Sequence, residues 1–203
     1  LTGRVGDLTK GMPEVVMRKR PTKSVTMAKA ELNNGQTLYG VNDLFIGPKT
    51  HCSARYLIRS GEASETQSSS GVIVSTGMGS TGWLKSLLTG AAAITQSAGS
   101  ALARQTTENL FPVGGRKTKG NGKVRLNVKT EFAWDANYLF YTVREPFPTK
   151  TTGASLVFGR VTTETPLILE SRMAENGVIF SDGTEKDFLE FNSGTQAVIG
   201  IAE

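Results

Sequence analysis

The 203-residue sequence contains one cysteine, Cys52, and one histidine, His51. A single cysteine cannot form a disulfide within the chain, which indicates a reducing compartment and a protein that is not secreted. A single histidine excludes a site built from several histidines, and we predict no metal site. Neighbouring strand residues point to opposite sides and no orienting partner is visible, so we interpret both residues as structural rather than catalytic.

Long apolar runs are also absent. Hydrophobic residues make up 38% of the chain, and no run reaches the eighteen residues of a transmembrane candidate, so we predict no membrane span. The first residues contain no signal-peptide core and no initiator methionine, which indicates a processed chain or a piece of a longer one. The length suits one domain, residues 1–203, in which residues 1–14 form a lead-in segment.

The charge balance is mildly basic, with a formal net charge of +5. Such a surface favours anionic partners such as phosphates. The basic residues gather at positions 18–20 and 116–119, and neither group alternates with aromatic residues. A stacking surface for single-stranded nucleic acid is therefore not indicated, and we regard nucleic-acid binding as unlikely.

The most informative stretch is residues 71–86, which read GVIVSTGMGSTGWLKS. Residues 72–74 predict a buried strand, the Gly/Ser/Thr run predicts a tight turn, and the apolar spacing that follows predicts a helix. The helix is expected over residues 81–105, with breaks near 89–90 and 98–99. A helix N-terminus after such a turn offers free N–H groups to an anion, although the stretch could equally be only a turn. It matches neither the Walker nor the G-x-G-x-x-G motif.

A second clear signal is the Asn-Gly sequence within residues 33–36, which predicts a β-hairpin between two strand-like runs. The second run, residues 38–46, is predicted as one strand that is apolar except for Asn42 and Asp43. A buried polar pair must be hydrogen-bonded. The two side chains either satisfy neighbouring backbone groups or reach a ligand.

The rest of the chain predicts mostly short strands. They are expected at residues 15–17, 124–128, 138–143, 156–158, 167–169, 178–180, 188–191 and 197–201. Residues 61–70 and 111–123 are expected to be loops, the second of them a basic, glycine-rich surface loop. This pattern predicts a mainly-β, β-sandwich-like domain with a short helical insertion after the glycine-rich stretch.

Three segments together resemble the C-terminal domain of the NAD kinase family. SSSGVIVSTGMGSTGWLKS resembles the family's DGLIVSTPTGSTAY signature, residues 41–47 resemble its Asn-Glu motif, and residues 180–183 resemble its Val-Asp-Gly-Gln segment. The resemblance covers most of residues 15–203 and is specific over 42–86. The motif style is closest to the divergent branch that includes mitochondrial NAD kinase. The departures from the common pattern are Asp43 for Glu, Ser70 for Asp, Gly77 for Pro and Trp83 for Tyr.

The resemblance implies an enzyme that transfers phosphate from ATP, with Mg²⁺, to the 2′-hydroxyl of NAD. In that family an N-terminal α/β domain carries a Gly-Gly-Asp-Gly motif with the general base. That motif is absent from the 203 residues, so no catalytic residue is expected in this chain. Ser70 offers no charged acceptor, which leaves the choice between NAD, NADH and another nucleotide open. The residues expected to contact the dinucleotide are Asn42, Asp43, Ser70, Thr81, Gly82, Trp83 and Ser86.

The resemblance also implies a homodimer or higher homo-oligomer, located in the cytoplasm of a bacterium or in the mitochondrial matrix of a eukaryote. Two alternatives remain. One is a non-catalytic nucleotide-binding or oligomerisation module, and the other is a related sugar or lipid kinase of the same architecture.

Overall fold

The computed structural model describes the backbone of residues 8–110 and 131–202, and the side chains of residues 11–98 and 131–202. Two six-stranded antiparallel sheets dominate this part of the chain. The elements are α1 (Leu8–Val16), β1 (Ala28–Leu32), β2 (Thr37–Gly40), β3 (Asp43–Pro48), β4 (Ala54–Ser60), β5 (Ala63–Ser69), β6 (Val72–Ser75), a 3₁₀ turn (Gly79–Thr81), α2 (Trp83–Leu110), β7 (Leu139–Val143), β8 (Phe158–Val161), β9 (Leu167–Ser171), β10 (Gly177–Ser181), β11 (Phe188–Glu190) and β12 (Gln196–Ile201).

The first sheet has the strand order β2-β1-β12-β9-β4-β5, and the second has the order β11-β10-β3-β6-β7-β8. The main core contains apolar side chains from both sheets, among them Ile58 and Leu169 from the first and Leu44 and Val74 from the second. The predicted mainly-β, sandwich-like fold is therefore confirmed. No helix of the described residues combines the length and the apolar character that a membrane crossing requires.

The second sheet also buries side chains on its outer face. Leu44 and Ile46 of β3 belong to the main core, whereas Phe45 between them joins a separate cluster with Ile73 and Val178. This alternation follows from the two-residue period of a strand. Trp83 of α2 packs against that outer cluster, so the start of the helix lies over the second sheet.

The β1–β2 hairpin confirms the Asn-Gly prediction, with Glu31 paired to Thr37. Gly35 has a φ of 85° and so supplies the left-handed residue that the turn needs. The predicted strand at 72–74 is β6, and strands β7 and β9–β12 lie at or within a residue or two of their predicted positions. The strand predicted at 156–158 is displaced, because β8 begins only at Phe158.

Two predictions at the level of single elements were wrong. Residues 15–17 are not a strand, because Val15 and Val16 end α1 and Val16 is 74% exposed. Residues 61–70 are not a loop, because β5 pairs along its whole length with β4. Its buried Gln67 accepts a hydrogen bond from Tyr56 and donates one to the Leu156 carbonyl. The polar side chain of Gln67 therefore has hydrogen-bond partners inside the sandwich.

Two further predictions differ in detail. Residues 38–46 form two strands in different sheets, since β2 ends at Gly40 and β3 starts at Asp43. The helix α2 shows no break at Gly90 and runs through to Leu110. A glycine weakens a helix by only about 1 kcal/mol, so one glycine does not have to end it. The predicted loop at 111–123 and the predicted strand at 124–128 lie outside the described residues.

Candidate functional site

The turn between β6 and α2 is held against the segment that joins β2 to β3. The Thr76 backbone N–H donates to the Asn42 carbonyl at 2.9 Å, and the Thr76 hydroxyl donates to the Val41 carbonyl at 2.6 Å. The same hydroxyl accepts a hydrogen bond from the Gly79 N–H. One buried threonine therefore fixes two chain segments that lie 35 residues apart.

Two glycines of the turn allow this close approach. A Cβ atom at Gly79 would lie 2.0 Å from the Asn42 carbonyl oxygen, and one at Gly77 would lie 1.9 Å from the Ala133 carbonyl oxygen. Neither distance is compatible with a side chain. The tight turn that the sequence predicted is confirmed, and at these two positions the small residues also let it approach other backbone segments closely.

Asp182, in the turn between β10 and β11, supports the other side of this site. Its carboxylate accepts hydrogen bonds from the backbone N–H groups of Val41, Asn42 and Asp43 at 3.0, 2.6 and 3.3 Å. These three donors lie at an exposed point of the chain, where β2 ends and β3 begins. Asp182 itself has a φ of 52°, a left-handed conformation that aspartate tolerates better than most residues.

The carboxyl group of Asp43 is electrostatically perturbed. Partial burial, with a smaller contribution from the negative charge of Asp182, raises the pKa of Asp43 from 3.8 to about 6. Asp43 is therefore poised to exchange a proton close to neutral pH. Perturbed carboxyl groups of this kind are concentrated at binding and catalytic sites, although structural ones also occur.

These elements line an open cavity of about 340 Å³, which we call the Asn42 hollow. It is lined by Asn42, Asp43, Met78, Gly79, Thr81, Gly82, Trp83, Asp182 and Gly183. Five of the seven residues that the sequence singled out thus come together around one cavity: Asn42, Asp43, Thr81, Gly82 and Trp83. Their proposed contact with a dinucleotide remains a prediction.

The other two predicted residues lie elsewhere. Ser86 is exposed one turn further along α2, where its N–H donates to the Gly82 carbonyl at 3.1 Å. Ser70 directly follows β5, and its hydroxyl donates to the Glu145 carboxylate. Ser70 lines a different and larger cavity on the outer face of the second sheet.

Trp83 lines both cavities. Its ring stacks on Phe45 with the ring centroids 5.7 Å apart and the planes 10° from parallel. Phe45 in turn contacts Phe180 at a centroid distance of 4.8 Å. The indole is therefore held in a fixed orientation by the outer aromatic cluster, at the start of α2.

The Asn42 hollow combines an amide, a hydroxyl, a carboxyl group, an indole ring and the first turn of a helix. Backbone N–H groups in that first turn have no partner within the helix, which suits a polar or anionic ligand. The donor set does not fit a magnesium ion held by this chain. The Asp182 carboxylate is occupied by backbone N–H groups, and the described residues gather no group of three His, Cys, Asp or Glu side chains that could hold a metal.

Among the lining residues that the sequence did not single out, which also include Met78, Gly79 and Gly183, Asp182 is the one whose side chain supports the site. It lies in the segment 180–183 that resembles a family motif, and that resemblance was the only signal for it. Its partners are backbone N–H groups about 140 residues earlier in the chain, and no periodicity could indicate such a contact.

Comparisons with known proteins place the fold. No protein-family model matches the sequence, and no curated protein matches it significantly. The structure is similar to that of yeast NADH kinase complexed with NADH, with a TM-score of 0.60 and 12% identity, over 98% of this chain and 46% of that one. It is also similar to an NAD kinase from Archaeoglobus fulgidus in complex with ATP, with a TM-score of 0.55 and 12% identity, over 98% and 58%.

At 12% identity this likeness establishes the fold alone. The chain has the β-sandwich-like architecture of the C-terminal domain of NAD kinases, as the sequence resemblance implied. It spans about half the length of the two solved structures it matches.

Proposed function

We propose that the chain is the nucleotide-binding domain of an NAD kinase, and that the Asn42 hollow receives the dinucleotide. The observation that carries this proposal is the convergence of Asn42, Asp43 and Thr81 beside Trp83 in one cavity. Two chain segments that resemble separate motifs of one enzyme family thus line a common space. The fold similarity to structures with bound NADH and ATP supports the same assignment.

Each side chain has a chemical role in this proposal. The Asn42 amide offers both a donor and an acceptor to the edge of a base, and the Thr81 hydroxyl adds a further donor or acceptor. The indole of Trp83 provides a flat surface on which a base stacks. The Asp43 carboxyl group hydrogen-bonds to a ribose hydroxyl, and its raised pKa lets it do so as donor or acceptor near neutral pH.

The chemical step of such an enzyme requires more than this chain supplies. Phosphoryl transfer from ATP depends on positioning the phosphates and on Mg²⁺ bound to them. The 203 residues contain no Gly-Gly-Asp-Gly sequence, so the general base and the phosphate-cradling glycines come from outside them. We therefore assign dinucleotide recognition to this chain and no catalytic residue.

Finer features of the proposal rest on the sequence resemblance. Ser70 stands where the family has an aspartate, and it lies outside the Asn42 hollow in this chain, so NADH as well as NAD is a candidate substrate. The motif style favours the branch that includes mitochondrial NAD kinase. We also propose that the protein forms a homo-oligomer and that it is located in a reducing compartment.

A non-catalytic nucleotide-binding module is the second candidate, and the missing Gly-Gly-Asp-Gly sequence favours it. Formation of NADP from NAD, ATP and Mg²⁺ separates the two. The full-length gene product should turn over and the 203-residue chain should not, because positioning against phosphates is most of this catalysis. Turnover by the 203-residue chain at the full-length rate would contradict our assignment of no catalytic residue to this chain. The absence of turnover by the full-length product would favour the non-catalytic module.

A further inference from the structure

We propose that Thr76 and Asp182 are positioning residues, which together hold Asn42 and Asp43 in the geometry that binds the dinucleotide. This role rests on the proposed function of the Asn42 hollow. Thr76 is fully buried and does not line the hollow. Asp182 does line it, but its carboxylate is occupied by three backbone N–H groups. Both residues therefore act on the ligand through their neighbours.

The backbone of residues 41–43 is held by these two residues alone on both its donor and its acceptor groups. The N–H groups of Val41, Asn42 and Asp43 all donate to the Asp182 carboxylate. The Val41 carbonyl accepts from the Thr76 hydroxyl at 2.6 Å, and the Asn42 carbonyl accepts from the Thr76 N–H at 2.9 Å. The Asp43 carbonyl accepts from the Asp182 N–H at 3.0 Å. Each backbone polar group of this segment thus has a partner in Thr76 or Asp182.

This arrangement leaves the side chains of Asn42 and Asp43 free. Asn42 is exposed and Asp43 is half-buried, and both line the hollow. Within the described part of the chain, neither side chain forms a hydrogen bond or an ion pair. The sequence left two roles open for them, namely to satisfy neighbouring backbone groups or to reach a ligand. Because Thr76 and Asp182 already satisfy that backbone, the structure favours the second role.

Thr76 also connects the two walls of the hollow. Its hydroxyl donates to the Val41 carbonyl on one wall and accepts from the Gly79 N–H, at 3.2 Å, on the other. Gly79 opens the 3₁₀ turn that leads into α2 and Trp83. A single hydroxyl group therefore sets the distance between the segment that carries Asn42 and the turn that carries Thr81.

The gain from such positioning lies in the cost of binding. A side chain whose backbone is already fixed loses less conformational freedom when a ligand binds, so more of the contact energy appears as affinity. Asp182 and Gly183 have φ values of 52° and 72°, so the turn that presents the carboxylate is itself a defined left-handed one. We therefore expect dinucleotide affinity to depend on two residues that make no contact of their own with the ligand.

A pair of substitutions at Thr76 tests this role. Thr76→Val keeps the shape of the side chain and removes the hydroxyl, whereas Thr76→Ser keeps the hydroxyl and removes a methyl group. Calorimetric titration with NAD and with NADH, at a temperature at which circular dichroism shows each variant to be folded, measures the affinity. Thr76→Val should weaken binding by about threefold or more, and Thr76→Ser should stay within about twofold of the unsubstituted chain.

A second pair tests Asp182. Asp182→Ala and Asp182→Asn remove the same negative charge, so the difference between them reports the hydrogen bonds rather than electrostatic attraction of the ligand. The amide oxygen of Asp182→Asn can still accept from the Asn42 N–H. We expect this variant to bind the dinucleotide more tightly than Asp182→Ala does. Asp187→Ala, an exposed acid in the same turn, is the matched control and should leave the affinity unchanged.

Combination with Asn42→Ala separates positioning from a general loss of structure. If Thr76 acts through Asn42, removal of the Asn42 side chain leaves the Thr76 hydroxyl less to position. The double variant with Thr76→Val should then bind more tightly than the product of the two single fold-losses predicts. Fold-losses that simply multiply would show that Thr76 acts independently of Asn42.

The outcomes distinguish this role from the proposed function itself. If the unsubstituted chain binds neither dinucleotide, the proposed function fails, and the positioning role fails with it. If it binds and the Thr76→Val and Asp182→Ala variants bind equally well, the dinucleotide site stands and the positioning role is overturned. Equal losses in Thr76→Val and Thr76→Ser would overturn it as well. If Thr76→Val does not fold, the comparison of Asp182→Ala with Asp182→Asn decides the question.

Discussion

The carboxylate of Asp182 accepts a 2.6 Å hydrogen bond from the backbone N–H of Asn42, across 140 residues of sequence. Two neighbouring N–H groups donate to the same carboxylate. The turn between β10 and β11 therefore determines the shape of the chain where Asn42 and Asp43 enter the Asn42 hollow.

Removing this carboxylate should destabilise the protein. Asp182→Ala removes an acceptor shared by three backbone donors, and because these exposed donors can bond to water instead, we expect a loss of about 0.5–1.5 kcal/mol in the free energy of unfolding. Urea unfolding measures this loss. Asp187→Ala, an exposed acid in the same turn, is the control and should cost less than about 0.5 kcal/mol. Equal effects of the two substitutions would contradict the structural role of Asp182.

The raised pKa of Asp43 predicts a pH-dependent stability. Because this pKa is about 6 in the folded chain against an ordinary value of 3.8, the folded state binds more protons here than the unfolded state between those values. The contribution of Asp43 to stability therefore falls as the pH rises from about 4 to about 6, and levels off above that range.

The test compares the unsubstituted chain with Asp43→Asn, in which this carboxyl group cannot ionise. Urea midpoints measured from pH 4 to pH 7.5 should show the unsubstituted chain losing stability relative to the variant as the pH rises. A difference between the two proteins that stays constant over this range would show that Asp43 has an ordinary pKa.

Two glycine-to-alanine substitutions should have opposite signs. Gly79→Ala places a Cβ against the backbone of Asn42 and should destabilise the fold by about 1–3 kcal/mol. Gly90→Ala lies in the interior of α2 with no atom within 4 Å of the new Cβ, and should stabilise by about 0.5–1 kcal/mol. Thermal unfolding of both variants checks the prediction, and a Gly79→Ala variant that is as stable as the unsubstituted chain would argue against this turn geometry.

The end strands of the two sheets bear on the proposal of a homo-oligomer, and part of the β5 edge is already covered, since the Ser68 and Thr66 carbonyls accept hydrogen bonds from the N–H groups of Phe147 and Gly153. Strands β2 and β5 are the outer strands of the first sheet, and β8 and β11 are those of the second, within the described residues. Unpaired strand edges tend to associate with other chains. Light scattering coupled to gel filtration should report a dimer or larger species at micromolar concentration, and a monomer alone would count against it.

The sequence predicted those elements whose signals are local. The Asn-Gly turn specifies the β1–β2 hairpin, and the change from a short apolar run to helical spacing specifies β6 followed by α2. The fold class followed from the number of short strands. The sequence also predicted five lining residues of the Asn42 hollow, through the family resemblance rather than through periodicity.

What the sequence missed depends on partners far away in the chain. Strand β5 carries polar residues and was expected to be a loop, yet Gln67 is fully buried because Tyr56 and Leu156 satisfy it. The break between β2 and β3 depends on hydrogen bonds to Asp182. Ser70 was grouped with Asn42, but the structure places it in the other cavity.

The central claim is that the Asn42 hollow binds a dinucleotide, and a calorimetric titration of the chain with NAD and with NADH tests it most directly. We expect saturable binding that Asn42→Ala weakens by about 2- to 12-fold, the equivalent of one hydrogen bond of about 0.5–1.5 kcal/mol. The exposed hairpin residue Asn34, substituted by Ala, is the matched control and should bind like the unsubstituted chain. Equal affinity of the Asn42→Ala variant and the unsubstituted chain, or no binding of either dinucleotide at millimolar concentration, would contradict the claim.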